Sequence, residues 1–154
     1  MDYKKSVYEM WENYLKSVGE ETSDKNFEAW HFEATEEGAN KLAELVLSGK
    51  KRATAGLVCA YNYDNDPYPK VGDLNIITDW YGEAKCVIKT KNVKTLKFNE
   101  MTEELAEKEG EGDLSLDYWK KEHEKFFKMD CEEIGEEFKE DIPFFFIEFE
   151  VVYK

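Results

Sequence analysis

An ammonium group and a hydroxyl three residues apart, Lys51 and Thr54 in Gly49-Lys50-Lys51-Arg52-Ala53-Thr54, are the side chains here whose types and spacing can do chemistry. A desolvated lysine with a lowered pKa can take the proton of a threonine hydroxyl and leave an alkoxide-like nucleophile for a carbonyl. Residues three apart on a regular strand point to opposite faces, so a shared site demands a turn, a bulge or residual helical geometry at this junction. The ordinary alternative is a solvated lysine beside a strand threonine. Gly49 then serves only as the left-handed cap of a helix, with Lys50 and Lys51 at the helix's negative end.

Other candidates are weaker. His123 lies one helical turn from Trp119 and from Phe127, which suits a buried, hydrogen-bonded structural histidine. His31 sits between Trp30 and Phe32, facing solvent or a cleft. Two unclustered histidines support neither a metal site nor a Ser-His-Asp arrangement. Cys59, Cys86 and Cys131 are odd in number and lack metal-type spacing, so reduced, partly buried thiols are expected and no cofactor. Trp30, Tyr61, Tyr63, Tyr68, Trp80 and Tyr81 are able to stack on a nucleic-acid base. Tyr61, Tyr63 and Tyr68 stand out because the run from 61 to 72 reads as a long exposed loop.

Charge narrows the partners. The chain of 154 residues carries a formal −14, which argues against indiscriminate binding of nucleic acid. Between Gly49 and Phe98, however, nine basic residues face five acidic ones, a local +4 that leaves −18 for the rest. A cationic strip on an acidic body steers an anionic ligand to one place, and the acidic remainder favours a small ligand over a long polyanion. Phosphate or a base edge would meet Lys50, Lys51 and Arg52.

The elements that must position these residues follow from periodicity. Val7, Met10, Trp11, Tyr14, Leu15 and Val18 predict an amphipathic helix stopped at Gly19. Residues 27–32 read as extended, with Trp30 and Phe32 on one side. Thr35 is a candidate N-cap for a second helix whose stripe is Ala39, Leu42, Ala43, Leu45 and Val46. Residues 51–60 predict a strand, 73–81 and 84–98 a hairpin near Gly82, 100–109 an acidic helix broken by Gly110 and Gly112. A last helix carries Leu116, Trp119, His123, Phe126 and Phe127, and Pro143 introduces a closing strand over 144–153. Hydrophobic residues at 42% and aromatics at 15% require a real core, and the size suits one domain. Mixed helices and strands without βαβ regularity point to α+β with a highly twisted or closed sheet. The absence of a long apolar run, and of a signal peptide's apolar segment at the start, gives a cytoplasmic expectation with no membrane partner.

The Gly49–Thr54 stretch resembles the GxKxxT signature of the ASCH family, relatives of the RNA-binding PUA domain. Trp30 and Phe32, the Val71-Gly72-Asp73 turn, the Cys86-Val87-Ile88 strand, and Glu109 to Asp113 followed by Trp119 and His123 fit the same order. The likeness covers about four-fifths of the chain, Trp30 to Tyr153. It implies a small PUA-like β-barrel with surrounding helices over residues 27–154, preceded by a helical extension over 1–26, and a cleft beside the signature. It further implies RNA or a modified nucleoside or nucleotide as partner; stacking chemistry and charge, read from the residues themselves, make Trp30, Lys50, Arg52, Tyr61, Tyr63 and Tyr68 the candidate ligand contacts. Some members resemble amidohydrolases of acetylated cytidine and others ribonucleases. By motif, the amidohydrolase-like triad falls on Lys51, Thr54 and Glu109, the last as proton donor to a leaving amine if burial raises its pKa.

Overall fold

The computed structural model describes residues 2–21 and 24–154. The elements run α1 (Lys5–Ser17), β1 (Glu28–Trp30), α2 (Glu36–Leu47), β2 (Ala53–Leu57), α3 (Val58–Asp64), β3 (Leu74–Thr78), β4 (Ala84–Lys97), a 3-10 turn (Phe98–Glu100), α4 (Glu103–Glu109), α5 (Leu116–Ile134) and β5 (Pro143–Tyr153). The strands form one mixed sheet in the order β1-β3-β4-β5-β2, parallel at β1–β3 and antiparallel elsewhere. β1 and β2 lie at opposite edges, so the sheet is an α+β half-barrel rather than a closed one. The β3–β4 register shifts at Ile77/Thr78, and the β4–β5 register shifts at Val87/Ile88 and Thr90/Asn92. Such irregularities add the local twist that curls a sheet.

Three apolar clusters hold the layers together, and strand alternation decides which residue serves which. Leu74, Ile76 and Val87 point towards α1, meeting Val7, Trp11, Tyr14 and Leu15. Their neighbours Ile77, Cys86 and Ile88 point the other way, onto Leu42, Ala43 and Val46 of α2. The central strands are therefore buried on both faces. Further along the sheet, Phe144 and Phe146 of β5 pack with Ala53 and Leu57 of β2 under Trp119, Phe127 and Cys131 of α5. Both phenylalanines are fully buried, each contributing about 1.5–3 kcal/mol of apolar transfer.

Most elements match the periodicity of the sequence. Thr35 caps α2 by accepting the Gly38 N–H at 3.1 Å, and Trp30 and Phe32 meet edge to face with ring centroids 4.9 Å apart. The expected hairpin forms between β3 and β4. The region after β2 differs: the strand ends at Leu57 instead of 60, and Tyr61 and Tyr63 lie on helix α3, not on a loop. Packing overrides the β-favouring composition there. A helical turn lets Cys59 and Ala60 reach the α5 cluster and swings the Tyr61 ring back over Gly56 and against Phe145, at 5.2 Å.

Candidate functional site

Where α2 ends, the chain is held by backbone groups from two sides. Gly49 adopts φ +82 and donates to Val46 O at 3.1 Å, while the Lys51 N–H reaches Leu45 O at 3.0 Å. These bonds satisfy carbonyls that a helix C-terminus otherwise leaves open. One residue on, the Arg52 N–H donates to Lys108 O at 2.8 Å and docks the end of α4 against this stretch. Gly110 makes the approach possible: it sits at φ +71, and a Cβ there would overlap the Lys50 carbonyl. Glu109, the residue before it, is thereby pressed against Lys51.

The result is a buried ionic cluster. Lys51 is 2% exposed and Glu109 1%. The Lys51 ammonium donates to Glu109 O at 3.3 Å, Glu109 Oε1 at 3.4 Å and Glu111 Oε2 at 2.7 Å, so its three protons have three acceptors. It also lies 5.2 Å from the centre of the Phe32 ring. The second carboxylate oxygen of Glu109 accepts the Trp119 indole N–H at 2.6 Å. His123 Nε2 lies 3.3 Å from Glu109 Oε1, and its Nδ1 is 3.0 Å from Trp119 O. A carboxylate and a carbonyl only accept, so this pair of contacts matches the imidazolium form, with a proton on each ring nitrogen. Its ring stacks on Trp119, centroids 4.1 Å apart.

The pKa directions agree with that assignment. Burial alone would push the Glu109 carboxyl up, but His123, Lys51 and the Trp119 donor together outweigh it and hold it at about 2. Burial would lower His123, and the adjacent Glu109 carboxylate more than reverses this, raising it above 6.5. With His123 protonated, two cations balance two carboxylates in the cluster. At its rim, burial and the nearby Glu111 push the Glu33 carboxyl up.

Thr54 is not part of this cluster. β2 pairs with β5 in unbroken register from Ala53↔Glu148 to Leu57↔Phe144, so no bulge redirects its side chains. Ala53 and Ala55 pack into the core under α5, and Thr54 alternates to the other face, beside Gly56. Lys51 itself lies ahead of β2, in the turn that follows α2. Glu109 is ionised, where a proton donor to a leaving amine would need a raised pKa.

Beside the cluster lies an open groove of about 530 Å³ at the C-terminal end of α2. Arg52, Lys91, Lys108 and Lys154 line it together with Glu148 and Glu150. Lys91 sits at the β4 irregularity between Thr90 and Asn92. Lys108 pairs with Glu148 at 2.9 Å, and Asn92 Nδ2 donates to the same carboxylate at 3.0 Å. Burial works to raise the Glu148 pKa, but these partners prevail and lower it. Lys154 reaches Leu47 O at 3.4 Å. Among the described residues, Arg52 and Lys91 have no carboxylate within ion-pair distance, which leaves two cations free to meet a ligand.

The other sequence candidates are dispersed. Trp30 donates its indole N–H to Asn75 Oδ1 at 2.9 Å and packs beside the α2 cluster, and Lys50 is exposed next to Gly110. Tyr61 and Tyr68 lie against Phe145, and Tyr63 is exposed. None of these four aromatics lines the groove. Nothing in the sequence separates Glu111 from the acidic residues around it, whereas the one-turn spacing of Trp119 and His123 is a signal for their stacking. Lys91 belongs to the cationic strip already visible in the sequence, whereas Lys108 and Lys154 come from acidic or distant segments.

Comparison with known proteins gives a consistent picture. A model of the ASCH domain family matches residues 28–153. The ASCH domain structure from Lactobacillus crispatus JV V101 superposes with a TM-score of 0.93 at 38% identity, covering 100% of this chain and 98% of that one. Protein EF3133 from Enterococcus faecalis V583 gives 0.86 at 31% identity, over 97% of this chain and 89% of its own. Hypothetical protein PH0355, at 22% identity and a TM-score of 0.50, shares the fold over 81% of this chain and 97% of that one. A search of curated proteins finds no match. No described helix is long and apolar enough to cross a membrane.

Proposed function

The chain belongs to the ASCH domain family, and from that premise we propose that it binds RNA or a modified nucleoside or nucleotide in the groove beside Gly49–Thr54. One observation carries the reading: on a chain of net charge −14, Arg52, Lys91, Lys108 and Lys154 converge on a single concavity. Arg52 offers a planar fork suited to two phosphate oxygens, and Lys91 supplies a second point charge. Glu148 and Glu150 supply acceptors for the amino group of a base edge. The surrounding acidic surface opposes a long polyanion and leaves the groove as the place where an anion is welcome.

Fluorescence anisotropy of a short labelled single-stranded RNA, titrated across a range of salt concentrations, tests this. For single strands each neutralised phosphate contributes about 0.7 to the slope of log K against log salt, so the R52A/K91A double variant should flatten it by about 1.4. An unchanged slope and affinity in that variant would overturn the reading. A hydrolytic role for Lys51, Thr54 and Glu109 has less support, since the ammonium is saturated, the hydroxyl faces away and the carboxylate is ionised. Turnover of an acylated nucleoside that disappears in Thr54→Val would restore it.

A further inference from the structure

β4 departs from regular pairing where it passes the groove. Its register runs from Thr90↔Phe149 to Asn92↔Glu148, so Lys91 is a bulged residue without a partner on β5. An inserted residue of this kind bends its strand and re-aims its side chain. On the other flank of β5, the Arg52 carbonyl accepts the Phe149 N–H at 2.9 Å, one residue ahead of Ala53↔Glu148. Arg52 and Lys91 therefore straddle β5 at the level of Phe149, their backbones about 10 Å apart across two strand spacings. Both residues are exposed and line the same concavity.

The cations of the groove are not equivalent. Lys51 gives its protons to the buried cluster, Lys108 is held by Glu148, and Lys154 reaches the Leu47 carbonyl at the end of α2. Among the described residues, Arg52 and Lys91 pair with no carboxylate. Two uncommitted positive charges complement a group that carries two negative ones. A second anionic group would meet Glu148, Glu150 and the negative C-terminal end of the α2 dipole.

We propose that Arg52 and Lys91 clamp a phosphomonoester dianion, the terminal phosphate of a nucleotide or of an RNA strand, in preference to the singly charged phosphodiester inside a strand. The clamp rests on the reading of this groove as an RNA or nucleotide site and narrows it to one phosphate class. The guanidinium fork of Arg52 takes two terminal oxygens and the Lys91 ammonium takes the third. A diester offers two free oxygens and one charge, which leaves one of the two cations unmatched. Glu148 and Glu150 accept from the donors that a nucleoside adds, its ribose hydroxyls and base amino group.

Isothermal titration calorimetry of the full chain with AMP, cyclic AMP and adenosine tests the clamp, since the three share a base and differ in phosphate charge. Just above neutrality AMP should bind about tenfold more tightly than cyclic AMP, the effect of one charge-assisted bond. The two should converge at about pH 5, below the second phosphate pKa of about 6, where AMP is also a monoanion. R52A/K91A should abolish the preference, whereas Lys97→Ala, an exposed cation further along β4, should keep it. Short RNAs of one sequence, ending in a 5′-phosphate or a 5′-hydroxyl, identify the source. A preference for the phosphorylated strand assigns the clamp to RNA ends; a preference confined to AMP assigns it to free nucleotides. Equal binding within both pairs, or a preference that survives in R52A/K91A, would overturn the proposal. If the two RNAs bind equally and still depend on Arg52 and Lys91, only the clamp falls; if neither RNA nor nucleotide binds, the broader reading falls with it.

Discussion

Lys51 and Arg52 are adjacent in the chain and carry the same charge, but one is sealed in the interior and the other stands in an open groove. Around Lys51, every proton has an acceptor and the local charges cancel. Around Arg52, cations outnumber carboxylates, and neither Arg52 nor Lys91 is held by an ion pair among the described residues. A neutral, desolvated cluster holds structure: its energy is already committed to internal partners, and breaking it leaves a bare buried charge. An open surplus of charge adds little to stability and retains its capacity to bind. The lesson is that residue type and sequence position do not assign a role to a lysine or arginine; the number of partners and access to water do.

Substitution at the cluster should produce the largest effect. Lys51→Ala removes the partner of a carboxylate 1% exposed and is expected to lower stability by about 3–5 kcal/mol in urea denaturation. A variant as stable as the wild type would dissolve the contrast with the groove. The pH dependence comes next. The Glu109 carboxyl is held at about 2 against an ordinary 4.5, so its stabilisation is present above pH 4.5 and lost as pH falls towards 2. That loss is on the order of 3 kcal/mol. His123 is raised above 6.5, so its contribution is complete below pH 6.5 and declines as pH rises through its value in the fold. Urea midpoints measured across pH should therefore fall on both sides, and His123→Gln should flatten the alkaline limb.

A smaller loss should follow Gly110→Ala, about 1–3 kcal/mol from a left-handed backbone alone, with the overlap on Lys50 O adding to it. Arg52→Ala should leave the urea midpoint within about 0.5 kcal/mol of wild type while weakening RNA binding. The smallest effect belongs to Thr54→Val, expected to change neither stability beyond about 0.5 kcal/mol nor binding in the groove. A large binding defect in Thr54→Val would move the ligand site to the face shared by Gly56, Tyr61 and Phe145.

Several of these features were legible beforehand because they are local. Thr35 as a cap, Gly49 as a stop, and the alternation of Cys86, Val87 and Ile88 depend on neighbours a few residues away. Helix α3 was hidden for the opposite reason. Val58 to Asp64 has no strong helical pattern, and its form is set by what Cys59, Ala60 and Tyr61 meet on α5 and β5. The cluster was half visible. The family resemblance pairs Lys51 with Glu109, but whether either is free or saturated depends on Glu111, Trp119 and His123.

Sequence alone determined the α+β composition, the order of nearly all the elements and the cationic strip within an acidic chain. Tertiary structure decided that Lys51 turns inward onto Glu109 and Glu111, and that Lys108 and Lys154 join Arg52. Local propensities and charge counts are sums over neighbouring residues, which the chain itself records. Burial, proton occupancy and convergence depend on residues tens of positions apart, and only the packed fold brings those together.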